Sequence, residues 1–306
     1  MKMGRPVKVI LDTDPGVDDA IAILMALAWP ELELVGITTV GGNVHLARGT
    51  RNALALLEYA GRWNVPVARG AARPCRGRFP YAYAFHGPGG LSRRLPQPRM
   101  RSVDIGAAEF MAAKLRSDPS QITLVALGPL TNLACLLKRH PGALDLVGSL
   151  VVMGGAVDGS GNVTSHAEFN FYSDPVAAHA VLSSGVPLTL VDLGAGRQVS
   201  LARGVGDRLK ARSPLGRLVA QLLCNWFRRD PRRRRFEFYD PLAFAAALSP
   251  DLITTGRMEL AVETSDAARL GETRVVAAGG PVAATQKVDG RRFFALLEDL
   301  FQLSYR

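Results

Sequence analysis

The chain has 306 residues, of which 48 % are hydrophobic and 21 % are charged, so it can bury a large core as one big α/β domain or two smaller ones. No run of eighteen apolar residues occurs, which excludes a helix that crosses a membrane. Three widely separated cysteines imply neither a disulfide framework nor a zinc site, and the net charge of +10 suggests attraction to polyanions without naming a partner.

The N-terminal letters MKMGRP lead straight into the first predicted strand without an apolar signal segment. We therefore expect a cytoplasmic protein with reduced, packed thiols and no association with a membrane. No internal repeat or low-complexity tract divides the chain, so we expect residues 1–306 to form a single domain.

The first predicted strand ends in a turn that is rich in aspartate. The letters VKVIL form a β-branched apolar run, which is typical of a strand buried on both faces of a parallel sheet, and a Pro-Gly pair breaks it. From Asp18 onwards the apolar residues follow helical spacing. The strand-to-helix turn thus carries Asp12, Asp14, Asp18 and Asp19 at the carboxyl end of a strand, where open α/β sheets bind ligands.

These four carboxylates would repel one another unless a cation or shared protons relieved the crowding. The nearby ligands are all oxygen, with no Cys or His, so a hard ion such as Ca²⁺ or Mg²⁺ fits better than zinc. The alternative for any single aspartate is a turn or a helix cap, but the four together favour a metal site.

The string DTDPGVDDA resembles the opening of the nucleoside hydrolases, the inosine-uridine preferring ribonucleoside N-glycosidases. Haloacid-dehalogenase-type phosphatases also begin with Asp-x-Asp after a strand, but they carry Thr or Val at the position of Gly16. The resemblance implies calcium-dependent hydrolysis of the N-glycosidic bond of ribonucleosides to ribose and a free purine or pyrimidine base. An Asp-x-Asp phosphohydrolase and a non-catalytic nucleoside-binding protein are the alternatives.

The next elements alternate between strands and helices. A strand LELVGITT, a helix over Arg48–Gly61 and a short strand near Val65–Ala68 predict a mostly parallel, Rossmann-like sheet. Asn43 follows two glycines at the end of the second strand, and its own chemistry suits either a turn or a sugar contact. The family's TTVxGN pattern implies that Asn43 contacts the ribose.

A long irregular segment follows over Pro74–Pro98, and it is rich in Pro, Gly, Arg and aromatic residues. Loops of this length are often lids, so we expect residues 74–98 to form a mobile loop over the site. His86 begins the letters HGPGGL, which resemble a substrate-side segment of the family and imply a catalytic role. Without that resemblance, a lone loop histidine is more often simply exposed.

Two further strands end at predicted site residues. After a predicted helix over Val103–Ser117, the strand ITLVAL runs into letters that resemble the family's LGPLTN, which implies that Leu127 offers its backbone carbonyl to the metal. The strand over Leu146–Met153 ends in two glycines, and the resemblance implies that Met153 packs on the sugar. A fifth predicted strand, VPLTLVDL, ends without an assigned site residue.

The segment GNVTSHAEFN carries Asn162, Glu168 and Asn170, whose side chains suit hydrogen bonds with sugar hydroxyls. Unaided, this pattern favours a polar surface loop. The family's GNxTxxAEFNxxxDP pattern has the same spacing and implies that these three residues bind the ribose. Asp174, which follows them, is predicted to cap a helix.

An amphipathic helix from Leu215 to Phe227 precedes the run RRDPRRRR at Arg228–Arg235. Trp226 is predicted either to stack on the base or to fill the core, and helix-end aromatics line the base pocket in the family. We expect the arginine run to be a solvated, mobile loop, with residues 224–238 over the site. No aromatic-interleaved RNA motif or zinc finger accompanies it, so nucleic-acid binding is not predicted.

The last site residues are Tyr239 and Asp240 in the letters YDPLA. Asp240 resembles the distant aspartate that completes the family's calcium site. The family usually has His or Trp where this chain has Tyr239, so Tyr239 either donates a proton to the departing base or stacks on it.

The resemblance covers nearly the whole chain and implies an α/β domain with helices on both faces of the sheet and the active site at the carboxyl ends of the strands. It implies that Asp14, Asp19, Asp240 and the Leu127 carbonyl hold Ca²⁺, that Asp14 takes a proton from the attacking water, and that Asp12 orders the loop. The implied substrate-binding residues are Asp18, Asn43, Met153, Asn162, Glu168, Asn170 and Trp226. The expected partners are a ribonucleoside and further copies of the chain, as a dimer or tetramer.

Overall fold

The computed structural model describes residues 6–304 as one α/β domain around a ten-stranded sheet. The strands in chain order are β1 (Val7–Thr13), β2 (Leu32–Thr39), β3 (Val67–Arg69), β4 (Val103–Gly106), β5 (Ile122–Ala126), β6 (Ser149–Met153), β7 (Leu188–Val191), β8 (Ser200–Ala202), β9 (Lys210–Ala211), β10 (Arg235–Glu237), β11 (Ile253–Val262), β12 (Thr273–Ala278), β13 (Val282–Val288) and β14 (Leu303–Ser304). The α-helices are α1 (Val17–Ala28), α2 (Leu46–Tyr59), α3 (Tyr83–His86), α4 (Ala107–Ser117), α5 (Thr131–Arg139), α6 (Phe169–Ser173), α7 (Pro175–Leu182), α8 (Leu193–Gly196), α9 (Arg203–Gly206), α10 (Pro214–Arg229), α11 (Tyr239–Leu248) and α12 (Gly290–Phe301).

The main sheet has the strand order β12-β11-β13-β7-β6-β5-β1-β2-β3-β4. Neighbouring strands from β13 to β4 pair in parallel, while β11 pairs antiparallel with both β12 and β13. Asp12 near the end of β1 pairs in register with Thr38 of β2 and Ala126 of β5. The predicted, mostly parallel sheet is confirmed, and the carboxyl ends of these three strands meet at one edge.

Helices cover both faces of the sheet, as expected. Val9 and Leu11 of β1 belong to the core that α1, α10, α11 and α12 form on one face, whereas Ile10 belongs to the core under α4, α5 and α7 on the other. This two-sided burial explains the continuous apolar run of the first strand. The packing of α11 against α1 and β6 brings the chain after the arginine run to the end of β1.

The predicted boundaries differ most from the structure at two places. The predicted helix over Val103–Ser117 begins only at Ala107, because its first four residues form β4 and pair with β3. The predicted loop over 224–238 is also too long, since Cys224–Arg229 continue α10 and Arg235–Glu237 form β10, which pairs with β8. Only residues 230–234 connect the two elements.

The segment 74–98 is packed at several points. It contains the short helix α3, and Leu91 and Leu95 are buried in the core that also contains α1 and α10. Phe79 and His86 are buried as well. Among the described residues, no helix combines the length and apolar character that a membrane crossing requires.

Candidate active site

The aspartate-rich turn lies where β1 passes into α1, as predicted. The carboxylate of Asp19, in the first turn of the helix, accepts hydrogen bonds from Thr13 Oγ1 (2.5 Å), Asp14 N (3.2 Å), Gly16 N (2.8 Å) and Asn43 Nδ2 (2.9 Å). The first three bonds fold the turn around the carboxylate. Because Asn43 follows β2, the fourth bond ties two neighbouring strand ends together.

Three carboxylates come together beside this turn. Asp18, Asp19 and Asp240 each place one oxygen within 4.8 Å of the others, and all three are buried. Asp14, a predicted metal ligand, is not a member of this closest group, and its Oδ2 accepts a hydrogen bond from Asn43 N (2.5 Å). Its buried Oδ1 has no hydrogen-bond partner among residues 6–304.

Burial and mutual repulsion govern the charge of these carboxyl groups. Burial, followed by the charge of Asp19, raises the pKa of Asp18 to about 8 and raises the pKa of Asp14 well above its ordinary value. The pKa of Asp240 is raised well above its ordinary value by burial and then by Asp18 and Asp19. A divalent cation would offset this repulsion, and the unpaired Oδ1 of Asp14 is an oxygen that a cation can bind. The residues therefore fit a hard divalent cation.

The backbone of Leu127 lies at the same edge, directly after β5. Its N–H donates to Asp12 O (2.7 Å), and its carbonyl oxygen accepts from Asn170 Nδ2 (2.7 Å). A carbonyl oxygen has two lone pairs, so one remains for a further contact. Leu127 also lines the cavity described below, which is compatible with its predicted role.

Asp12 links three elements under the site. Its Oδ1 accepts hydrogen bonds from Thr38 Oγ1 (2.5 Å) on β2 and from Asn132 Nδ2 (2.7 Å) on α5. Burial raises the pKa of Asp12 to about 7. These contacts fit the predicted ordering of the loop, although the sequence analysis did not identify Asn132 as the partner.

A cavity of about 480 Å³ opens at the carboxyl ends of the strands. Its polar lining comes from Asp18, Asn43, Asn162, Glu168, Asn170, Glu237 and Asp240, and its aromatic lining comes from Tyr81, Phe85, His86, Phe169 and Tyr239. Met153 and Leu127 also line it, whereas Asp14 and Asp19 are fully buried and do not. Most of the predicted site residues thus converge on one cavity of the size that holds a small organic ligand.

Comparison with known proteins identifies this arrangement. The sequence model of the inosine-uridine preferring nucleoside hydrolases matches residues 9–295. The chain belongs to this family. It is 40 % identical over 268 residues to uridine nucleosidase 1 of Arabidopsis thaliana, covering 86 % of this chain and 80 % of the relative. It is 39 % identical over 274 residues to the pyrimidine-specific ribonucleoside hydrolase RihA of Citrobacter koseri, covering 87 % of each.

Solved nucleoside hydrolases share the whole fold. A plant nucleoside hydrolase superposes with a TM-score of 0.88 at 34 % identity, over 97 % of this chain and 99 % of the other. The purine-preferring ribonucleoside hydrolase of Gardnerella vaginalis superposes with a TM-score of 0.87 at 31 % identity, over 96 % and 97 % of the two chains. The single α/β domain and the enzyme class expected from the sequence are confirmed.

Within this nucleoside hydrolase, hydrogen bonds to the backbone hold the side chains of Glu168 and Asn170. Glu168 caps α6 by accepting from Asn170 N (2.8 Å) and Phe171 N (3.0 Å), and it also accepts from Gly155 N (2.9 Å). Burial raises the pKa of Glu168 to about 7 in spite of these donors. Of the three predicted ribose-binding residues, Glu168 and Asn170 are thus held in place by the protein itself, while Asn162 is exposed where it lines the cavity. Asp174 caps α7 through Ala177 N (3.1 Å), as predicted.

His86 is buried against the start of α1. Its Nδ1 accepts a hydrogen bond from Val17 N (3.0 Å), which satisfies a free N–H of the helix. Gly16 makes this approach possible, because a Cβ there would collide with the imidazole. Burial, and then the charges of Arg233 and Arg229, lower the pKa of His86 to about 3. The ring is thus neutral, with its proton on Nε2, and this favours hydrogen-bond donation over general-acid catalysis.

Trp226 does not line the cavity, so of its two predicted roles the structure supports the filling of the core and not a contact with the base. It is only 2 % exposed, and its ring contacts Phe85 and Phe236. Its Nε1 donates to the backbone oxygen of Phe85 (3.1 Å), so Phe85 reaches the cavity and Trp226 supports it from behind. Phe85 and Tyr81 were not predicted as site residues, although the aromatic letters of the segment 74–98 were a sequence signal for them.

Tyr239 lies at the start of α11, and its ring packs against Gly196, where a side chain would collide with it. Its hydroxyl forms no hydrogen bond within the part of the chain that the structure describes, although the residue lines the cavity. Burial, and then the charge of Glu237, raise the pKa of Tyr239 above its ordinary value. The phenol therefore keeps its proton at neutral pH.

Proposed function

We propose that this nucleoside hydrolase cleaves the N-glycosidic bond of ribonucleosides in a calcium-dependent reaction that releases ribose and a free purine or pyrimidine base. The observation that carries the proposal is the group of buried carboxylates beside a cavity lined by Asn and Glu side chains and by aromatic rings. The carboxylates suit a hard cation, the amides suit ribose hydroxyls, and the rings suit a planar base.

The ribose would bind through the polar side chains of the cavity. Hydrogen bonds already hold the side chains of Glu168 and Asn170, so these side chains lose little conformational entropy when the sugar binds. Asn43 already donates to the carboxylates of Asp14 and Asp19, so it positions these groups in addition to its proposed ribose contact.

The proposed reaction adds one water to the nucleoside. A bound calcium ion would supply positive charge that makes a nearby water more acidic. Asp14 accepts a proton from the attacking water at Oδ1, its oxygen without a hydrogen-bond partner. The water oxygen bonds to the anomeric carbon through an oxocarbenium-like state, while the base leaves with the electrons of the glycosidic bond and takes up a proton. Tyr239 is the proposed donor of that proton, and His86 a proposed hydrogen-bond donor.

The test is the release of free ribose from a panel of purine and pyrimidine ribonucleosides, with matched deoxyribonucleosides. We expect ribose release from at least one nucleoside, its loss after chelation and its recovery with Ca²⁺. Asp19→Ala should lose both the ion and the activity. Release of phosphate from phosphate esters, or tight nucleoside binding without turnover in calcium, would instead support one of the two alternatives.

The resemblance also supports two proposals about the setting of the enzyme. We infer that it acts in the cytoplasm and that it assembles as a dimer or tetramer. Sedimentation equilibrium at several concentrations measures the assembly, and a monomer at all of them would contradict it.

A further inference from the structure

A second cavity, lined by arginines, shares no lining residue with the cavity of the nucleoside hydrolase site. Its volume is about 480 Å³, within the range of ligand pockets in proteins. The arginines are Arg48, Arg51, Arg93, Arg94 and Arg229, and no Asp or Glu lines the cavity. None of these five forms an ion pair with a carboxylate among residues 6–304. Unpaired guanidinium groups that face one concave space create a strongly positive potential there.

The walls of this cavity are held in place by hydrogen bonds. Arg51 donates from Nε to Gln97 Oε1 (2.8 Å) and from Nη2 to Leu95 O (3.0 Å), which fixes the segment after Ser92 against α2. Arg229 donates to His86 O (2.6 Å) and lies directly against Gly87, where a Cβ would collide with it. A cavity with fixed walls binds a ligand with less loss of freedom than a loose surface does.

Asn52 adds a buried polar group to the lining. It is 1 % exposed, and its Nδ2 donates to Gly89 O (2.9 Å) and Pro15 O (3.1 Å). Its Oδ1 has no hydrogen-bond donor among the described residues. Because Arg48, Arg51 and Asn52 follow helical spacing on α2, one face of this helix contributes two cations and an amide to the lining of the same cavity.

We propose that this cavity binds the phosphate chain of an anion that carries two or more phosphate groups, either as free polyphosphate or as part of a nucleoside di- or triphosphate. Guanidinium groups form paired, charge-assisted hydrogen bonds with phosphate oxygens, and several of them match several phosphates. The side chains of Arg48, Arg93 and Arg94 form no hydrogen bond or ion pair in the described chain, so their guanidinium groups are available to the ligand. Asn52 Oδ1 is the acceptor for a hydroxyl or amino group of a nucleotide.

The experiment is calorimetric titration of the intact enzyme with sodium tripolyphosphate and, separately, with ATP. The test variant is Arg48→Ser with Arg93→Ser, because neither side chain has a structural partner. The control variant is Arg116→Ser with Arg291→Ser, which removes the same charge from two arginines that have no partner in the described chain and lie outside this cavity. The wild type and both variants keep the buried carboxylates of the active site. Any heat that arises because tripolyphosphate or ATP chelates a metal ion bound there is therefore the same in all three.

We expect saturable binding of tripolyphosphate that weakens at least about tenfold in the test variant and less than about twofold in the control, since each lost arginine removes a charge-assisted hydrogen bond. Binding of ATP tighter than tripolyphosphate would assign the site to nucleotides, and equal affinity would assign it to the phosphate chain alone. No saturable binding, or equal weakening in both variants, overturns the proposal. Calorimetry does not depend on nucleoside turnover, so the two proposals fail or succeed separately.

Discussion

At the scale of the residue, Tyr239 is the proposed donor of the proton to the departing base. It lines the cavity, its hydroxyl lacks a protein partner within residues 6–304, and burial keeps the phenol protonated. These features suit a proton donor to the departing base. The ring also packs on the backbone at Gly196, so the same residue could act only as a stacking surface.

We predict that Tyr239→Phe lowers kcat for ordinary nucleosides by about 10²–10⁴, because a positioned general acid contributes about that much. A p-nitrophenyl leaving group needs little protonation, so kcat of the variant for a p-nitrophenyl riboside should stay close to that of the wild type. Steady-state rates on both substrates provide the measurement. Tyr81→Phe is the matched control, since it removes a hydroxyl from another ring that lines the cavity. Near-wild-type kcat on both substrates would leave Tyr239 with a packing role.

At the scale of the element, the connection between α10 and β10 is anchored through one arginine. Arg233 donates to the backbone oxygens of Trp226 (2.8 Å), Ala84 (2.8 Å) and Phe85 (2.9 Å), and its guanidinium lies 4.2 Å from the centre of the Trp226 ring. By contrast, Arg232 is exposed, and within residues 6–304 its side chain bonds only to the nearby Asp230. The sequence predicted that the whole arginine run is a solvated loop. The structure shows instead that Arg233 is anchored to the protein, whereas Arg232 is exposed.

We predict that Arg233→Ser destabilises the protein by about 1–3 kcal/mol, because it removes the hydrogen bonds to three backbone oxygens and the contact with the Trp226 ring. Since Arg233 holds Phe85 at the cavity, KM for nucleosides should rise as well. Arg232→Ser removes the same charge and should change stability by less than about 0.5 kcal/mol and kcat by less than tenfold. Thermal unfolding and steady-state kinetics of the two variants measure these effects. Equal effects of Arg233→Ser and Arg232→Ser would contradict the proposed anchoring role of Arg233.

The same element shows which parts of the site the sequence could predict. The residues of the first turn were predictable because Asp14, Asp18 and Asp19 lie on contiguous chain beside a strand whose pattern is unambiguous. The position of Trp226 was not predictable. An aromatic residue at the end of a helix can face a cavity or support another ring, and here the outcome depends on α3, which comes from a distant segment of the chain. Arg233 was missed for the same reason, since a charge run gives no sign of which side chain meets backbone carbonyls. Likewise, β4 exists only through its pairing with β3.

At the scale of the whole molecule, the site opposes the stability of the fold that holds it. Asp14, Asp18, Asp19 and Asp240 are buried together, and burial with mutual repulsion raises the pKa of three of them. Such groups favour unfolding unless a cation binds, because water solvates their charges better than the protein does. The metal-free enzyme should therefore be less stable than the calcium-bound one, with a gain of about 2.7 kcal/mol when free calcium is 100 times its Kd.

The sharpest consequence concerns Asp14→Asn in the presence of a chelator. This change removes one charge from the cluster and keeps an oxygen that can accept from Asn43 N, so we predict that it stabilises the metal-free protein by about 1–2 kcal/mol while it abolishes turnover. Asp174→Asn is the matched control. That residue is equally buried, but both of its oxygens accept hydrogen bonds, from Ala177 N, Cys75 N and Thr131 Oγ1, so an amide nitrogen would face a donor there and cost about 1–3 kcal/mol. Chemical unfolding with and without Ca²⁺ measures both effects, and calcium should stabilise the wild type more than Asp14→Asn. If Asp14→Asn were no more stable than the wild type in chelator, the repulsion within the cluster would be too weak to oppose folding.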